Sequence, residues 1–454
     1  MQGNLTKGSP IRVILKFMIP LFIGNIFQVF YNMVDTIIVG RYVSADALAA
    51  VGSTGSVMFL IIGFCGGLTT GFTVLTSQRF GAGDKKGMKV SVANAVILSV
   101  IVTVVMTSLS LLLLHPILKV MNTPKEIYEM AYSYISTICI GIVFSVAYNL
   151  LSSLLRSIGN STAPLFFLVF SACLNVALDL LFVITFKMGV AGAAWATNVA
   201  QGLSAVLCAI YIVIKNKDLV PERGMWHLDK KATAFQMTVG MPMALQFSIT
   251  ASGTVVMQTA VNLFGATAVA AFTAANKVHN LMMQAMMSMG QAMATYCGQN
   301  MGAGYADRIS KGVRSSVITM TVYSILSGIA VVWLLKPLMG IFFSGNVDMA
   351  SMMPYAKIYI VQCAFFYIPL SYIFIFRNTM QGCGYGLLPM LGGVVEMICR
   401  ISVAVLSMHL MSYRLAAFCD PAAWIGAGLF TGVSYIFVMK KVYRTLSGKN
   451  KTGA

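Results

Sequence analysis

The chain has 454 residues, of which 58% are hydrophobic and only 10% charged. Soluble domains carry roughly 25% charged residues, so no water-facing fold could hide this much apolar surface. The formal net charge of +18 does not indicate nucleic acid, because the basic residues sit in short stretches between apolar runs and form no aromatic-interleaved basic face.

Taken in chain order, apolar runs separated by turn residues predict helices over 13–39, 47–78, 90–114, 126–151, 161–186 and 190–214. A second set is predicted over 232–262, 267–299, 315–341, 353–376, 386–410 and 415–440. Most of the runs are long enough for a hydrocarbon layer of ~30 Å. Inside that layer the backbone must satisfy itself, and without sustained period-two alternation the runs are helices rather than barrel strands. The first run is too long for the apolar part of a signal peptide and lacks a small-residue cleavage site, so it is expected to remain as the first span. The nine cysteines are scattered singly without C-x-x-C spacing, which predicts unpaired buried thiols. The expected fold is an all-α integral membrane protein of about twelve transmembrane helices.

The longest polar stretch, KNKDLVPERGMWHLDKK at 215–231, divides this array. It predicts an amino-terminal six-helix lobe over 1–214, a cytoplasmic linker over 215–231, and a carboxy-terminal six-helix lobe with a basic tail over 232–454. The halves repeat. TSQRFGAGDKKG realigns with YCGQNMGAGYAD at a shift of 221, placing Gln78 on Gln299 and Gly81-Ala82-Gly83 on Gly302-Ala303-Gly304. Pro20 meets Pro242 at nearly the same shift, and ALAAV at 47–51 resembles AVAAF at 268–272. Six spans per half require parallel repeats related by an axis along the membrane normal, a pseudo-symmetric arrangement that suits alternating access. Lys and Arg concentrate on one side, including Lys7, Arg12, Lys16, Arg79, Lys85, Lys86, Lys89, Arg156, Arg308, Lys311, Arg314 and Arg377. That bias predicts a multi-pass cell-membrane protein with both termini in the cytoplasm.

Three carboxylates are expected deep in predicted helices: Asp35, Asp179 and Glu396. A charge at the bilayer centre costs ~2.5–3.5 kcal/mol even on the lenient insertion scale, so each is a functional candidate. Asn175 precedes Asp179 by one turn on the same face. Asp35 and Asp179 are both expected toward the outer ends of first-lobe helices. If close, they would titrate as a coupled pair, holding a proton or trading it for Na⁺. Thr197, Asn149 and Tyr134 could help, although such residues also serve as ordinary interhelical hydrogen bonds. Pro20 and Pro242 interrupt their helices and should bend them, with Pro20 a candidate hinge. In the second half, Glu396 and Arg400 can pair across one turn. Lys277 would be expensive if buried alone, and a wet cleft would relieve it. Met282, Met286, Met289 and Met293 follow helical spacing and suit either packing or an adaptable apolar cavity. G-x-x-x-x-G-K-[ST], H-E-x-x-H and G-x-S-x-G are absent, and four dispersed histidines make no metal site, so neither an enzyme nor an ATP-driven motor is expected.

Several segments together resemble the multidrug and toxic compound extrusion family. They are VDTIIVG after YN, LAAVG, QRFGAGD, LNVALD, and GVAGAAWATNVAQ at 189–201. The resemblance spans nearly the whole chain. It implies a two-lobe exporter that exchanges small organic, cationic or amphipathic substrates for H⁺ or Na⁺. No other cofactor, nucleic acid or protein partner is implied, and membrane lipid is the surroundings. The family's amino-terminal cation site maps onto Asp35, Asn175, Asp179 and Thr197, its bending proline onto Pro20, and its polar cavity onto Tyr134 and Asn149. Lys277 and Met286 are further cavity candidates from the second half. Some branches carry acidic residues in the seventh and tenth helices, and this chain has none there. A lipid-linked oligosaccharide flippase of the same superfamily is the alternative, and it would be expected to line its cavity with several Arg or Lys.

Overall fold

The structure is a computed structural model that describes residues 3–121, 123–340 and 349–451. Position 341, where one predicted helix ends, and the last three residues of the tail lie outside the described residues. The described chain is helical and contains no strand. The first half runs α1 (Pro10–Tyr42), α2 (Ala45–Gly81), α3 (Lys85–Val120), α4 (Lys125–Ile140), α5 (Ile142–Ser157), α6 (Thr162–Asp179) and α7 (Gly189–Lys215). The second runs α8 (Lys230–Asn262), α9 (Gly265–Gly302), α10 (Ala306–Trp333), α11 (Leu335–Gly340), α12 (Met349–Phe365), α13 (Tyr367–Gly382), α14 (Leu387–Leu410) and α15 (Tyr413–Lys451).

Nine of the described helices are long and apolar enough to cross a membrane, and eleven spans result if each of two bent pairs counts once. α9 is longer than either bent pair's members but more polar, with Asn276, Lys277, His279, Asn280 and Gln284 along it. Counting it with the eleven gives about twelve spans. The bent pairs are α4–α5, broken at Gly141 by 45°, and α12–α13, broken at Phe366 by 51°. At the first break Asn198 Nδ2 donates to the Thr137 carbonyl at 2.7 Å, supplying a partner near the interrupted ladder.

The repeat is visible in local geometry. Ala82 N–H donates to Gln78 O and Ala303 N–H to Gln299 O, each at 3.0 Å. Gly83 and Gly304 follow with φ of 71° and 78°, a left-handed region where glycine has no Cβ penalty. These two turns close α2 and α9 in the same way.

By internal contacts the chain forms two compact units. The first holds residues up to Asn4 and Ile19–Ala244, and the second holds Leu5–Met18 and the chain from Leu245 onward. The divisions fall beside Pro20 in α1 and Pro242 in α8. In the first unit a Cβ on Gly71 would collide with Gly240 Cα, so glycine at both positions lets α2 and the start of α8 approach closely. Segment 215–231 also packs in this unit as two short 3₁₀ turns. Lys85 reaches Asp218 at 3.2 Å, Lys89 reaches Glu222 at 2.8 Å, and Asp229 N–H donates to Asn94 Oδ1 at 2.9 Å. The hydrogen bond and charge of Lys89 hold the exposed Glu222 carboxyl below its ordinary value of 4.5.

Candidate cation site

In the first unit, one cluster of polar side chains forms among α1, α4, α6 and α7. α6 ends at Asp179, and the chain continues as a π-helical turn over Leu180–Thr185. Such turns widen a helix by one residue per bond and occur often at functional sites. Asn175 and Asp179 share the buried face of α6, and Asp179 has no exposed surface. Asp35 on α1 is half-buried, and its carboxyl is an electrostatic neighbour of that of Asp179. Both are nevertheless short of donors: Asp35 Oδ1 and both Asp179 oxygens are buried without a hydrogen-bond partner. Two ionised carboxylates are acceptors only, so neither can satisfy the other.

Around them, Asn175 Nδ2 donates to Thr197 Oγ1 at 3.3 Å, and Thr197 Oγ1 donates to the Ala193 carbonyl at 3.2 Å. Asn175 Oδ1 is a further buried acceptor without a partner. Tyr31 lies near Gln201, Gln28 and both carboxylates, and Ser145 Oγ donates to Gln201 Oε1. Tyr134 is buried beside Asp35, Tyr31 and Asp179. A cavity of ≈ 10 Å³, about one water's room, is lined by Tyr31, Ser171, Asn175, Thr197 and Gln201 among others. The apolar floor under this cluster includes Ile38, Val39, Val183, Val190 and Ala193.

Asp35, Asn175, Asp179, Thr197 and Tyr134 therefore come together. Asn149 does not join them among the described contacts; it is half-buried on α5. Tyr31 and Gln201 are members that the sequence reading left unassigned, although both lie inside or beside the segments YN and WATNVAQ.

The second unit contains a different cluster. Arg400 Nη2 lies 3.0 Å from both Glu396 Oε1 and Asp420 Oδ1, and its Nε donates to Asp420 Oδ1 at 3.0 Å. Tyr359 donates to Asp420 Oδ2 at 2.9 Å, and Asn276 donates to Tyr359 at 3.1 Å. Arg377 approaches Glu396 at 3.9 Å. His279 lies 3.2 Å from the Tyr367 hydroxyl and stacks on Trp424. Two expectations change here. Asp420 is a fourth deep carboxylate, 5% exposed, in addition to the three expected. Arg377, expected in a cytoplasmic loop, lies inside α13 with its side chain 12% exposed. Lys277 is exposed on α9, which spares its charge the cost of burial. Met286, Met289 and Met293 have no exposed surface and pack within the unit, with Ser316 Oγ 3.0 Å from Met293 Sδ.

The MatE family model matches this chain twice, over 20–181 and 242–406. This chain belongs to the MATE family. Each match begins at one of the two prolines inside α1 and α8. A probable multidrug resistance protein of Bacillus subtilis (strain 168), YpnP, is 28% identical over 441 residues, covering 96% of this chain and 94% of its own length. The probable multidrug resistance protein NorM of Thermotoga maritima is 24% identical over 448 residues, covering 96% and 92%. A solved MATE structure in complex with MaL6 superimposes with a TM-score of 0.89 at 20% identity, covering 98% of this chain and 99% of that one. At that identity the likeness speaks for the fold. This MATE chain is a multi-pass membrane transporter and not an enzyme.

Proposed function

We propose that this MATE protein is a secondary exporter of small organic, cationic or amphipathic molecules, driven by inward movement of H⁺ and working by alternating access in the cell membrane with both termini cytoplasmic. The observation that carries the reading is the neighbouring Asp35 and Asp179 carboxyls, of which Asp35 Oδ1 and both Asp179 oxygens are buried without donors. One shared proton turns two acceptors into a donor and an acceptor, and it removes one charge from the site. Loss of that proton restores two like charges in a poorly solvated place and favours their separation. Asp35 rides on α1 above Pro20, where the i→i−4 ladder lacks one bond, so α1 is the element able to yield. One charge falling through 100 mV supplies ~2.3 kcal/mol, about a fiftyfold gradient of a neutral-equivalent load.

The relatives named as probable multidrug resistance proteins support the substrate class. A flippase for pyrophosphate-linked lipids is not favoured, because Arg377 and Arg400 in the second unit are ion-paired with acidic neighbours. The test is export of a fluorescent cation such as ethidium, followed as uptake into energised inverted vesicles. Uptake that stops with a protonophore, continues without Na⁺ and is absent in Asp35→Asn supports the reading. Uptake that requires Na⁺ and ignores the protonophore replaces H⁺ by Na⁺, with Asn175 Oδ1 and Thr197 Oγ1 as its added ligands. No movement of any cationic dye by well-folded protein overturns drug export.

A further inference from the structure

The two clusters draw on matching sequence positions in the two halves. The buried face of α6 reads Ser171, Ala172, Asn175, Asp179, and that of α14 reads Gly392, Gly393, Glu396, Arg400, at the 221-residue shift of the GAG turns. In α7 and α15 the buried runs Ala193-Ala194 and Ala416-Ala417 bring Thr197 onto Asp420. Tyr134 precedes the break at Gly141 as Tyr359 precedes that at Phe366, and both tyrosines are buried. Aligning Pro20 with Pro242 puts Tyr31 on Gly253 and Asp35 on Met257, and buried Ile38-Val39 on buried Ala260-Val261.

The exchanges between halves compensate one another. The first half has Asp35 and Asp179, two carboxylates and no cation within the cluster. The second half replaces Asp35 by Met257 and Asp179 by Arg400, and gains carboxylates at Glu396 and Asp420. The position of Tyr31 becomes Gly253, where an added Cβ would meet Arg400 Nη1 at 3.0 Å. A glycine there leaves the guanidinium its space. Arg400 is 3% exposed, and its Nη1 has no hydrogen-bond partner, as fits a group held by charge and not by a full set of hydrogen bonds.

We infer that Glu396, Asp420 and Tyr359 form a second cation site whose permanent occupant is the tethered guanidinium of Arg400. The first half exchanges its cation; the second carries its own and stays in one charge state. Ion coupling then runs through one half only. This assignment of roles rests on the proposed coupling at Asp35 and Asp179, but the existence of the second site does not.

The experiment is thermal melting of purified, detergent-solubilised Arg400→Ala with millimolar guanidinium, Na⁺ or tetramethylammonium chloride, a range far below denaturing guanidinium concentrations. The expected result is a melting midpoint lowered by several degrees and largely regained with guanidinium, less with Na⁺ and not with tetramethylammonium. Wild type and Arg400→Ala/Asp420→Asn should show no such regain. Arg400→Ser, which leaves the same space open, is read in the same way if Arg400→Ala does not accumulate. An unchanged midpoint, or a loss that no small cation repairs, overturns the inference and leaves Arg400 a structural ion pair. The readout is independent of transport: Asp35→Asn, which tests the exporter reading, should melt without a guanidinium response.

Discussion

Tyr134 and Tyr359 hold matching places in the two halves and meet opposite conditions. Tyr134 lies beside two carboxylates that lack donors, whereas Tyr359 donates at 2.9 Å to a carboxylate already paired with arginine. Removing the Tyr359 hydroxyl leaves Asp420 Oδ2 buried without a partner. Tyr359→Phe should therefore cost about 1–3 kcal/mol, seen as a melting midpoint lower by about 2–4 °C per kcal/mol for units of this size. Tyr134→Phe should act mainly on the rate of dye export. Equal melting losses in the two variants would contradict the distinction.

The carboxylate pair sets the sharpest expectation. Asp35→Asn and Asp179→Asn each replace an acceptor by a group that carries its own donor, so the pair no longer needs a proton. Export should fall to background in both, with folding and membrane insertion retained. Normal export by either variant, at matched expression, would remove the pair from the coupling mechanism.

Pro20→Ala restores the missing rung of α1 and favours a straight helix; proline inside a helix costs about 3 kcal/mol relative to alanine. The variant should melt at the same temperature or higher while ethidium export slows at least several-fold. An unaltered export rate would make Pro20 a static bend.

The polar segment 215–231 offers a pH measurement. The Glu222 carboxyl is held below 4.5 by Lys89, so its contribution is fully present above that value and is lost as pH falls through the lower folded-state value. Amide exchange over 217–229, corrected for intrinsic pH effects, should rise as pH drops below about 4.5. It should rise at neutral pH with added salt, because the Lys89–Glu222 pair is solvent-exposed. Glu222→Gln should show the raised exchange already at neutral pH, and no difference from wild type would detach the pair from the docking of this segment.

Much of the site was legible from residue type and spacing. Asp35, Asn175, Asp179 and Thr197 stood out because a charge or amide in an apolar run is costly, and the one-turn spacing of Asn175 and Asp179 put both on one face. Tyr31 and Gln201 did not stand out, since tyrosine and glutamine near helix ends have many ordinary uses. Asp420 was missed because CDPAAW, with its proline, reads as the wet start of the last helix. Arg377 read as a loop residue because a positive charge near a span's end ordinarily marks topology.

Composition and order alone determined that this chain lives in a bilayer, crosses it about twelve times, repeats its first half in its second, and keeps a few carboxylates within apolar segments. These are properties of single segments, set by the solvent each segment can tolerate and by its own period. Which polar groups meet was decided only in three dimensions. Asp35 and Asp179 are far apart in the chain, and so are Tyr359 and Asp420; their contacts depend on helix bends at Gly141 and Phe366, on the π turn after Asp179, and on glycines that let neighbours close in. The two matching clusters differ in charge because Arg400 stands where the first half has Asp179, but only the packing brings that guanidinium between Glu396 and Asp420, where water cannot reach the carboxylates.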